Sequence, residues 1–101
     1  MQEKTPTSKA TWFVYYLRCA DHSLYAGITT DLHRRLEEHN TCNKNGAKYT
    51  RVRRPVHLAY AEKQENRQLA SKREYQLKKL TKAKKEALVC DFEPTLFDKT
   101  F

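Results

Sequence analysis

Five side chains in this sequence are of the types that could together hydrolyse a phosphodiester bond. That reaction needs a group that takes a proton from water, a cation that stabilises the charge of the pentavalent phosphorane, and a carboxylate that holds a divalent metal ion. Tyrosine and histidine can supply the first, arginine the second and glutamate the third. The five candidates are Tyr15, Tyr25, Arg35, His39 and Glu74.

Two of these candidates lie on a predicted helix that ends near Asn40. Thr30 or Asp31 is a favourable N-cap, and the spacing i, i+3, i+4 and i+7 then places one set of residues on a single helical face. That set is Leu32, Arg35, Leu36 and His39, and Arg34, Glu37 and Glu38 take the other side. A buried arginine is costly unless an anion meets it. On an isolated helix it indicates a structural ion pair, but together with the other candidates it favours a functional site.

Glu74 lies on a second predicted helix, from residue 64 to residue 80. Helical spacing there gives a stripe of Leu69, Ala70, Arg73, Leu77 and Leu80. Glu74 flanks this stripe, whereas Glu62 and Glu65 do not, so Glu74 is the better candidate metal ligand. The competing interpretation is an ion pair with Lys78, which lies four residues further along the helix.

The two tyrosines lie on a predicted β-hairpin. Residues 12–17 and 24–28 are rich in β-forming types, and a turn region separates them. A three-residue loop would set Tyr15 opposite Gly27 and diagonal to Tyr25, on one face of the sheet. A glycine inside a strand leaves room for a close approach, which we attribute to substrate. Taken alone, strand tyrosines are typical of a core.

The order and spacing of these residues resemble a known signature. The residues that carry it are Phe13-Val14-Tyr15, then Tyr25-Ala26-Gly27, then Arg35 and His39. This set resembles the GIY-YIG nuclease signature over about residues 12–88, and is similar to the small stand-alone bacterial members of that superfamily. Phe13 and Ala26 replace a glycine and an isoleucine of the signature, at apolar strand positions. Ile28 stands where repair-type relatives carry a lysine, which weighs against efficient, repair-grade catalysis.

The resemblance implies a metal-dependent endonuclease that hydrolyses phosphodiester bonds in DNA, in a setting such as repair or recombination. It implies that Glu74 binds Mg²⁺ or Mn²⁺ and that Arg35 stabilises the phosphorane. One carboxylate completed by waters and a substrate phosphate suits magnesium. The general base stays open among the tyrosines and His39, because a free tyrosine has a pKa near 10 and histidine is better matched to neutral pH. The alternative function is a non-catalytic DNA- or RNA-binding module on the same scaffold.

The charge of the chain predicts a polyanionic partner. Lys and Arg number 20 against 12 acidic residues, the formal net charge is +8 and the sequence pI is about 9.5. A basic loop between the first helix and the third strand mixes cations with a stacking ring, at Lys48, Tyr49, Arg51, Arg53 and Arg54. We predict that it binds DNA, with RNA as the second choice. A later lysine cluster is equally well explained as a solvated face.

The predicted fold class is α+β, with a small antiparallel three-stranded sheet flanked by helices. A third strand is expected at residues 56–61, and Thr81 can cap a short last helix at residues 82–89. The chain of 101 residues allows one domain, placed at residues 11–89. Residues 1–10 are expected to form a disordered arm and residues 90–101 a C-terminal tail.

Several classes of protein are disfavoured by the same sequence. No stretch is apolar and long enough to span a membrane, and the first ten residues lack a signal sequence, so we expect a cytoplasmic protein. Three scattered cysteines form neither a disulfide framework nor a zinc motif. We expect a monomer. The aromatic residues of the tail are a candidate docking segment for a protein partner, although folding back on the domain is the favoured interpretation.

Overall fold

The computed structural model of the protein describes residues 11–92. The disordered arm expected at residues 1–10, and the part of the expected tail at residues 93–101, lie outside the described residues. In chain order the elements are β1 (Trp12–Arg18), β2 (Leu24–Thr29), α1 (Leu32–Thr41), α2 (Lys48–Arg51), β3 (His57–Gln64), α3 (Arg67–Lys78) and α4 (Lys82–Asp91). None of the helices within residues 11–92 is long and apolar enough to cross a membrane.

The three strands form one antiparallel sheet in the order β2-β1-β3, which confirms the predicted fold class. Tyr15 pairs with Gly27, as the three-residue loop required. That loop is closed by the main-chain N–H of Cys19, which donates to the carbonyl of Ser23 at 2.9 Å. His22, the last loop residue, has a φ of 71°, the left-handed conformation that such loops use. The hairpin therefore fixes the faces on which the two tyrosines lie.

The central strand β1 is buried on both faces, so the sheet carries two separate cores. On one face Tyr15 and Leu17 pack with Leu32 of α1. On the other face Val14 and Tyr16 pack with Ala70 and Leu77 of α3. Helices α1 and α3 therefore cover opposite faces of the sheet.

The orientation of α3 is fixed by two polar contacts with the sheet. The hydroxyl of Tyr16 donates to the carbonyl of Leu77 at 2.6 Å, and Arg73 Nε donates to Glu62 Oε1 at 2.6 Å. A helix held by its buried stripe and by an ion pair on one flank cannot rotate freely. Glu62 is occupied in this contact, which is consistent with the preference for Glu74 as the candidate metal ligand.

Some element bounds differ from those predicted. Strand β3 continues to Gln64, because its last residues pair with the start of β1, where Trp12 faces Gln64. Helix α3 begins only at Arg67, because the Asn66 side chain accepts the N–H of Leu69 at 2.8 Å and acts as the N-cap. The short helix α2 was not predicted within the basic loop. The cap at Thr81 is confirmed, and α4 runs on to Asp91.

Candidate active site

The centre of the candidate site is a hydrogen bond between Tyr15 of β1 and His39 of α1. Tyr15 Oη and His39 Nε2 are 3.0 Å apart, and the two residues are 2% and 0% exposed. The ring of Tyr25 lies 5.4 Å from the His39 ring, edge to face. Three of the five candidates, from three different elements, thus share one cluster.

A fourth residue, Thr50 of α2, determines which nitrogen of His39 carries the proton. Thr50 Oγ1 donates to the carbonyl of Ala47 at 3.0 Å, so it can only accept from His39 Nδ1, which lies 2.8 Å away. The Nδ1 atom therefore holds the proton and Nε2 is an acceptor. It follows that the hydroxyl of Tyr15 donates to His39, and a directed chain of three hydrogen bonds runs from β1 into the basic loop.

The burial of this hydrogen-bond chain shifts the pKa values of Tyr15 and His39 so that both side chains favour their uncharged forms. Burial raises the pKa of Tyr15 to about 12, against the opposing effect of the nearby Arg35 guanidinium. Burial, together with the positive charge of Arg35, lowers the pKa of His39 to about 4. At neutral pH both groups are uncharged, which is what a buried pair without a counterion requires.

Arg35 lies on the inward face of α1, as the helical spacing predicted. Its Nη1 atom donates to Glu38 Oε1 at 2.9 Å and to the carbonyl of Asn45 at 2.7 Å. Burial acts against the charge, but the contacts with Glu38 and Tyr15 raise the pKa of Arg35 overall. The placement of Glu38 on the opposite side of the helix was wrong: Glu38 is half-buried and is the anion that accompanies Arg35.

Arg34 and Arg35 differ in burial but border the same space. Their side chains are 58% and 25% exposed, which confirms the helical phase. Both line a cleft of about 310 Å³. Arg34 is therefore not remote from the site, contrary to its placement on the opposite side of the helix.

The reason for the glycine in β2 differs from the one that the sequence suggested. A Cβ atom added to Gly27 would lie 2.6 Å from Cζ of Tyr15 and closer still to its hydroxyl. The space above Gly27 is thus filled by the Tyr15 ring, and the attribution of this glycine to close approach by substrate was wrong. Gly27 allows the phenol to reach His39.

Glu74 is half-buried, with 23% of its side chain exposed, and its carboxylate lies 3.4 Å from Lys78 Nζ. The ion pair expected as the competing interpretation is therefore present. The negative charge of Glu74 also contributes to the raised pKa of Tyr15, so the carboxylate lies within electrostatic range of the site. Within residues 11–92 no group of three metal-ligating side chains occurs. A lone carboxylate fits a magnesium ion that keeps most of its waters, and does not fit a zinc site.

The predicted basic loop divides into two kinds of residue. Arg53 lies 3.8 Å over the Tyr49 ring and pairs with Asp21 at 3.0 Å, while Arg54 Nε donates to the carbonyl of His39 at 2.7 Å. These two arginines stabilise the loop. Lys48 and Arg51 are exposed, and Tyr49 stacks on Tyr25 with ring centres 5.6 Å apart, so the loop lies against the tyrosine cluster.

The arrangement of these groups agrees with the result of comparison with known families. The sequence pattern of the GIY-YIG catalytic domain matches residues 11–87. The chain belongs to the GIY-YIG family. This is a nuclease family, and the match extends from the start of β1 into α4.

Individual relatives share about half of their residues with this GIY-YIG chain. The UPF0213 protein DP2720 of Desulfotalea psychrophila is 51% identical over 87 residues, which cover 86% of this chain and 78% of the relative. A UPF0213 protein of Staphylococcus aureus is 51% identical over 77 residues, which cover 76% of this chain and 92% of that relative. The solution NMR structure of protein EF2693 from E. faecalis is 45% identical, covers 87% and 88% of the two chains, and has a TM-score of 0.53. The solution NMR structure of the UPF0213 protein BH0048 from Bacillus halodurans is 41% identical in sequence. The match covers 79% of this chain and 83% of that chain, with a TM-score of 0.50.

Three residues of the site were not identified from the sequence: Glu38, Asn45 and Thr50. Glu38 carried a usable signal, because it lies three residues after Arg35 and can pair with it on a helix. Thr50 and Asn45 carried none. Asn45 contributes only its main-chain carbonyl, and Thr50 lies in a polar connection where no period indicates which side chains point inward.

The burial of His39 predicts a specific dependence of stability on pH. Its folded-state pKa of about 4 lies below the ordinary value of 6.5, so its contribution is complete above pH 6.5 and is lost as the pH falls toward 4. The loss should reach about 3 kcal/mol at most. Urea denaturation across this range should show it, and His39→Gln should flatten the dependence while His57→Gln should not. A wild-type protein of constant stability across this range would contradict the neutral His39.

The directed hydrogen-bond chain predicts that Thr50 sets the tautomer of His39. Thr50→Val leaves the buried Nδ1–H without an acceptor, so the free energy of unfolding should fall by about 1–3 kcal/mol. Long-range ¹H–¹⁵N NMR spectra should show the Nδ1–H tautomer in the wild type and its loss in the variant. Thr50→Ser, which keeps the hydroxyl, is the matched control. An unchanged tautomer in Thr50→Val would mean that the proton is placed by something else.

Proposed function

We propose that this GIY-YIG domain is a divalent-metal-dependent endonuclease that hydrolyses phosphodiester bonds in DNA. The observation that supports it most directly is the position of the Tyr15 hydroxyl. Its proton is held by His39, and its oxygen lies near the Arg35 guanidinium. A water and a phosphate brought to this point would meet a proton acceptor and a cation together.

Tyr15 is the group that takes the proton from the attacking water. As its oxygen accepts that proton, its own hydroxyl proton passes along the existing hydrogen bond to the unprotonated Nε2 of His39, so no phenolate has to form first. His39 is fully buried and its Nε2 is occupied, so it acts through Tyr15. Tyr25 packs against His39 and limits the space around the ring. In this proposal Tyr15 is the base among the three candidates that the sequence left open.

Arg35 stabilises the phosphorane. Its guanidinium is half-buried, so its field is less screened than that of a surface arginine. The contacts with Glu38 and with the carbonyl of Asn45 hold it in place before substrate arrives. A donor that is already oriented needs no reorganisation during the reaction, which is the condition for a large effect on rate.

Glu74 would hold the metal ion, Mg²⁺ or Mn²⁺. When bound, the ion would supply positive charge to the phosphate group. To serve as the ligand, Glu74 must leave the contact with Lys78, which is exposed and costs little to separate. Neutralising Glu74 also removes one of the charges that raise the pKa of Tyr15, so occupation of this carboxylate makes Tyr15 a better proton relay.

DNA would lie across the basic loop and the mouth of the site. Lys48 and Arg51 are exposed and suited to phosphate contacts, while Tyr49 offers only the part of its ring that Tyr25 and Arg53 leave exposed. With a formal net charge of +8, attraction to any nucleic acid is strong, and RNA is the second candidate. We expect the enzyme to act as a cytoplasmic monomer, in repair or recombination of DNA. Docking of a protein partner on the tail stays an open proposal.

Replacement of the two charged candidates should separate their roles. Glu74→Ala should abolish cleavage and leave DNA binding intact or stronger, since a negative charge leaves a site for a polyanion. Arg35→Ala should lower the cleavage rate by roughly 10²-fold or more, the scale for one preorganised donor. Cleavage of duplex, branched and single-stranded DNA, with Mg²⁺ or Mn²⁺, measures both, and filter binding without metal measures affinity.

Matched controls use exposed carboxylates of the same part of the fold. Glu65→Ala, before α3, and Glu37→Ala, on α1, should each cleave at the wild-type rate. If the wild type binds DNA but cleaves no substrate with either metal, the domain is a binding module on a nuclease scaffold. Wild-type cleavage by Glu74→Ala would leave Glu74 as a partner of Lys78 alone.

The two kinds of arginine in the basic loop should give opposite phenotypes. Arg51→Ala should weaken DNA binding on all sequences alike and leave stability within about 0.5 kcal/mol, because the side chain is exposed. Arg54→Ala should lower the free energy of unfolding by about 1–3 kcal/mol, because it removes a partly buried donor to the carbonyl of His39. Chemical denaturation and anisotropy titrations provide the two readouts. Equal effects of both variants on binding, with no loss of stability, would refute the division.

A further inference from the structure

A cleft of about 310 Å³ lies at the end of the sheet where β1 begins and β2 ends. It opens between the first turn of α1 and the first turn of α3. Its lining residues are Trp12, Ile28, Thr29, Thr30, Arg34, Arg35, Glu38 and Arg67. Arg35 belongs to the candidate site, so the cleft continues that site outward, in the direction away from the basic loop.

The walls of this cleft carry an excess of positive charge. Three guanidinium groups and one carboxylate line it. The carboxylate of Glu38 is already engaged by Arg35 at 2.9 Å and by Arg34 at 3.8 Å. No carboxylate lies within ion-pair distance of Arg67 among residues 11–92. A concave, largely polar surface of this charge is complementary to a phosphate group.

Arg67 occupies a position that helix formation does not favour. It is the first residue of α3, and the first turn of that helix has no acidic residue. A cation at a helix N-terminus is opposed by the helix dipole. Its guanidinium lies over the Trp12 ring, 5.9 Å from the ring centre, at the outer limit of a cation–π contact. The fold thus gains little from Arg67, although this residue lines the cleft.

Arg67 and Glu74 share one flank of α3. They are seven residues apart, which is two helical turns, or about 10 Å along the axis. A nucleic-acid strand whose scissile phosphate lies near Glu74 would place a phosphate one or two nucleotides away beside Arg67. Arg34, on α1, borders the same space.

We propose that this cleft is a subsite for a phosphate that flanks the scissile bond, with Arg67 and Arg34 as its ligands and Trp12 as its wall. The proposal rests on the proposed nuclease function, and it adds a second anchoring point on the substrate strand. With one anchor at the basic loop and one at the cleft, the strand is held on both sides of Tyr15. The subsite contributes to binding and to alignment of the strand, and moves no proton.

Binding of a short fluorescein-labelled DNA duplex, measured by anisotropy in EDTA over a series of salt concentrations, tests the subsite without cleavage. Arg67→Ala should weaken binding and reduce the magnitude of the salt slope by about one, the change expected for one lost phosphate contact. The matched control is Lys72→Ala, an exposed cation of the same helix that does not line the cleft. Arg67 is exposed, so its replacement leaves folding intact, which thermal denaturation verifies.

A second measurement locates the contact on the strand. After the cut site of the wild type is mapped, a neutral methylphosphonate is placed one or two nucleotides to either side of it. One such position should weaken binding by the wild type and leave Arg67→Ala unaffected. Arg67→Ala should also raise KM more than it lowers kcat, since the contact is present before and during the reaction.

The outcomes separate the subsite from the nuclease function. A reduced salt slope in Arg67→Ala together with an absence of cleavage would support the cleft and refute the nuclease. Cleavage by the wild type together with an unchanged slope in Arg67→Ala would refute the subsite alone. A loss as large in Lys72→Ala as in Arg67→Ala would also refute it, because the effect would then be one of general charge. Absence of salt-dependent DNA binding by the wild type would refute both.

Discussion

The hydrogen bond between Tyr15 and His39 is the constraint on which the rest of the site depends. It joins the central strand to the first helix through two buried side chains, so every polar atom along it needs a partner. Thr50 satisfies the far nitrogen of His39, which explains why a turn of helix forms within the basic loop. Gly27 leaves room for the phenol to reach the histidine. The neutral state of both rings follows from the same enclosure.

The burial of the Tyr15 and His39 rings stabilises the fold but disfavours the charged forms that proton transfer would need. Tyr15 keeps its proton to a pKa of about 12, and His39 binds one only below about 4, so the isolated pair is a poor base at neutral pH. The charges at its border can change this. Arg35 lowers the pKa of Tyr15, whereas the negative charge of Glu74 raises it.

The cations of this small domain fall into two groups. Arg53 and Arg54 hold the basic loop against the hairpin and the first helix, and Arg73 fixes the third helix on the sheet. These side chains are engaged within the protein and contribute mainly to the shape of the surface. Among residues 11–92, Arg51 and Arg67 have no such ion pair or side-chain hydrogen bond, and both are exposed at places where we propose that a phosphate backbone lies. Whether a cation already has a partner within the protein therefore distinguishes structural cations from candidate binding cations better than the number of charges does.

The sequence by itself determined the elements and the faces of the site. Its alternation and helical spacing identified the hairpin register, the inward position of Arg35 and His39, and the cap of the last helix, because those features depend on neighbours near in the chain. Only the tertiary structure decided which side chains meet. Thr50 orients His39, and Arg67 borders the same cleft as Arg34, both through the docking of separate elements. Such contacts leave no period in the sequence, since each depends on how the helices lie on the two faces of the sheet.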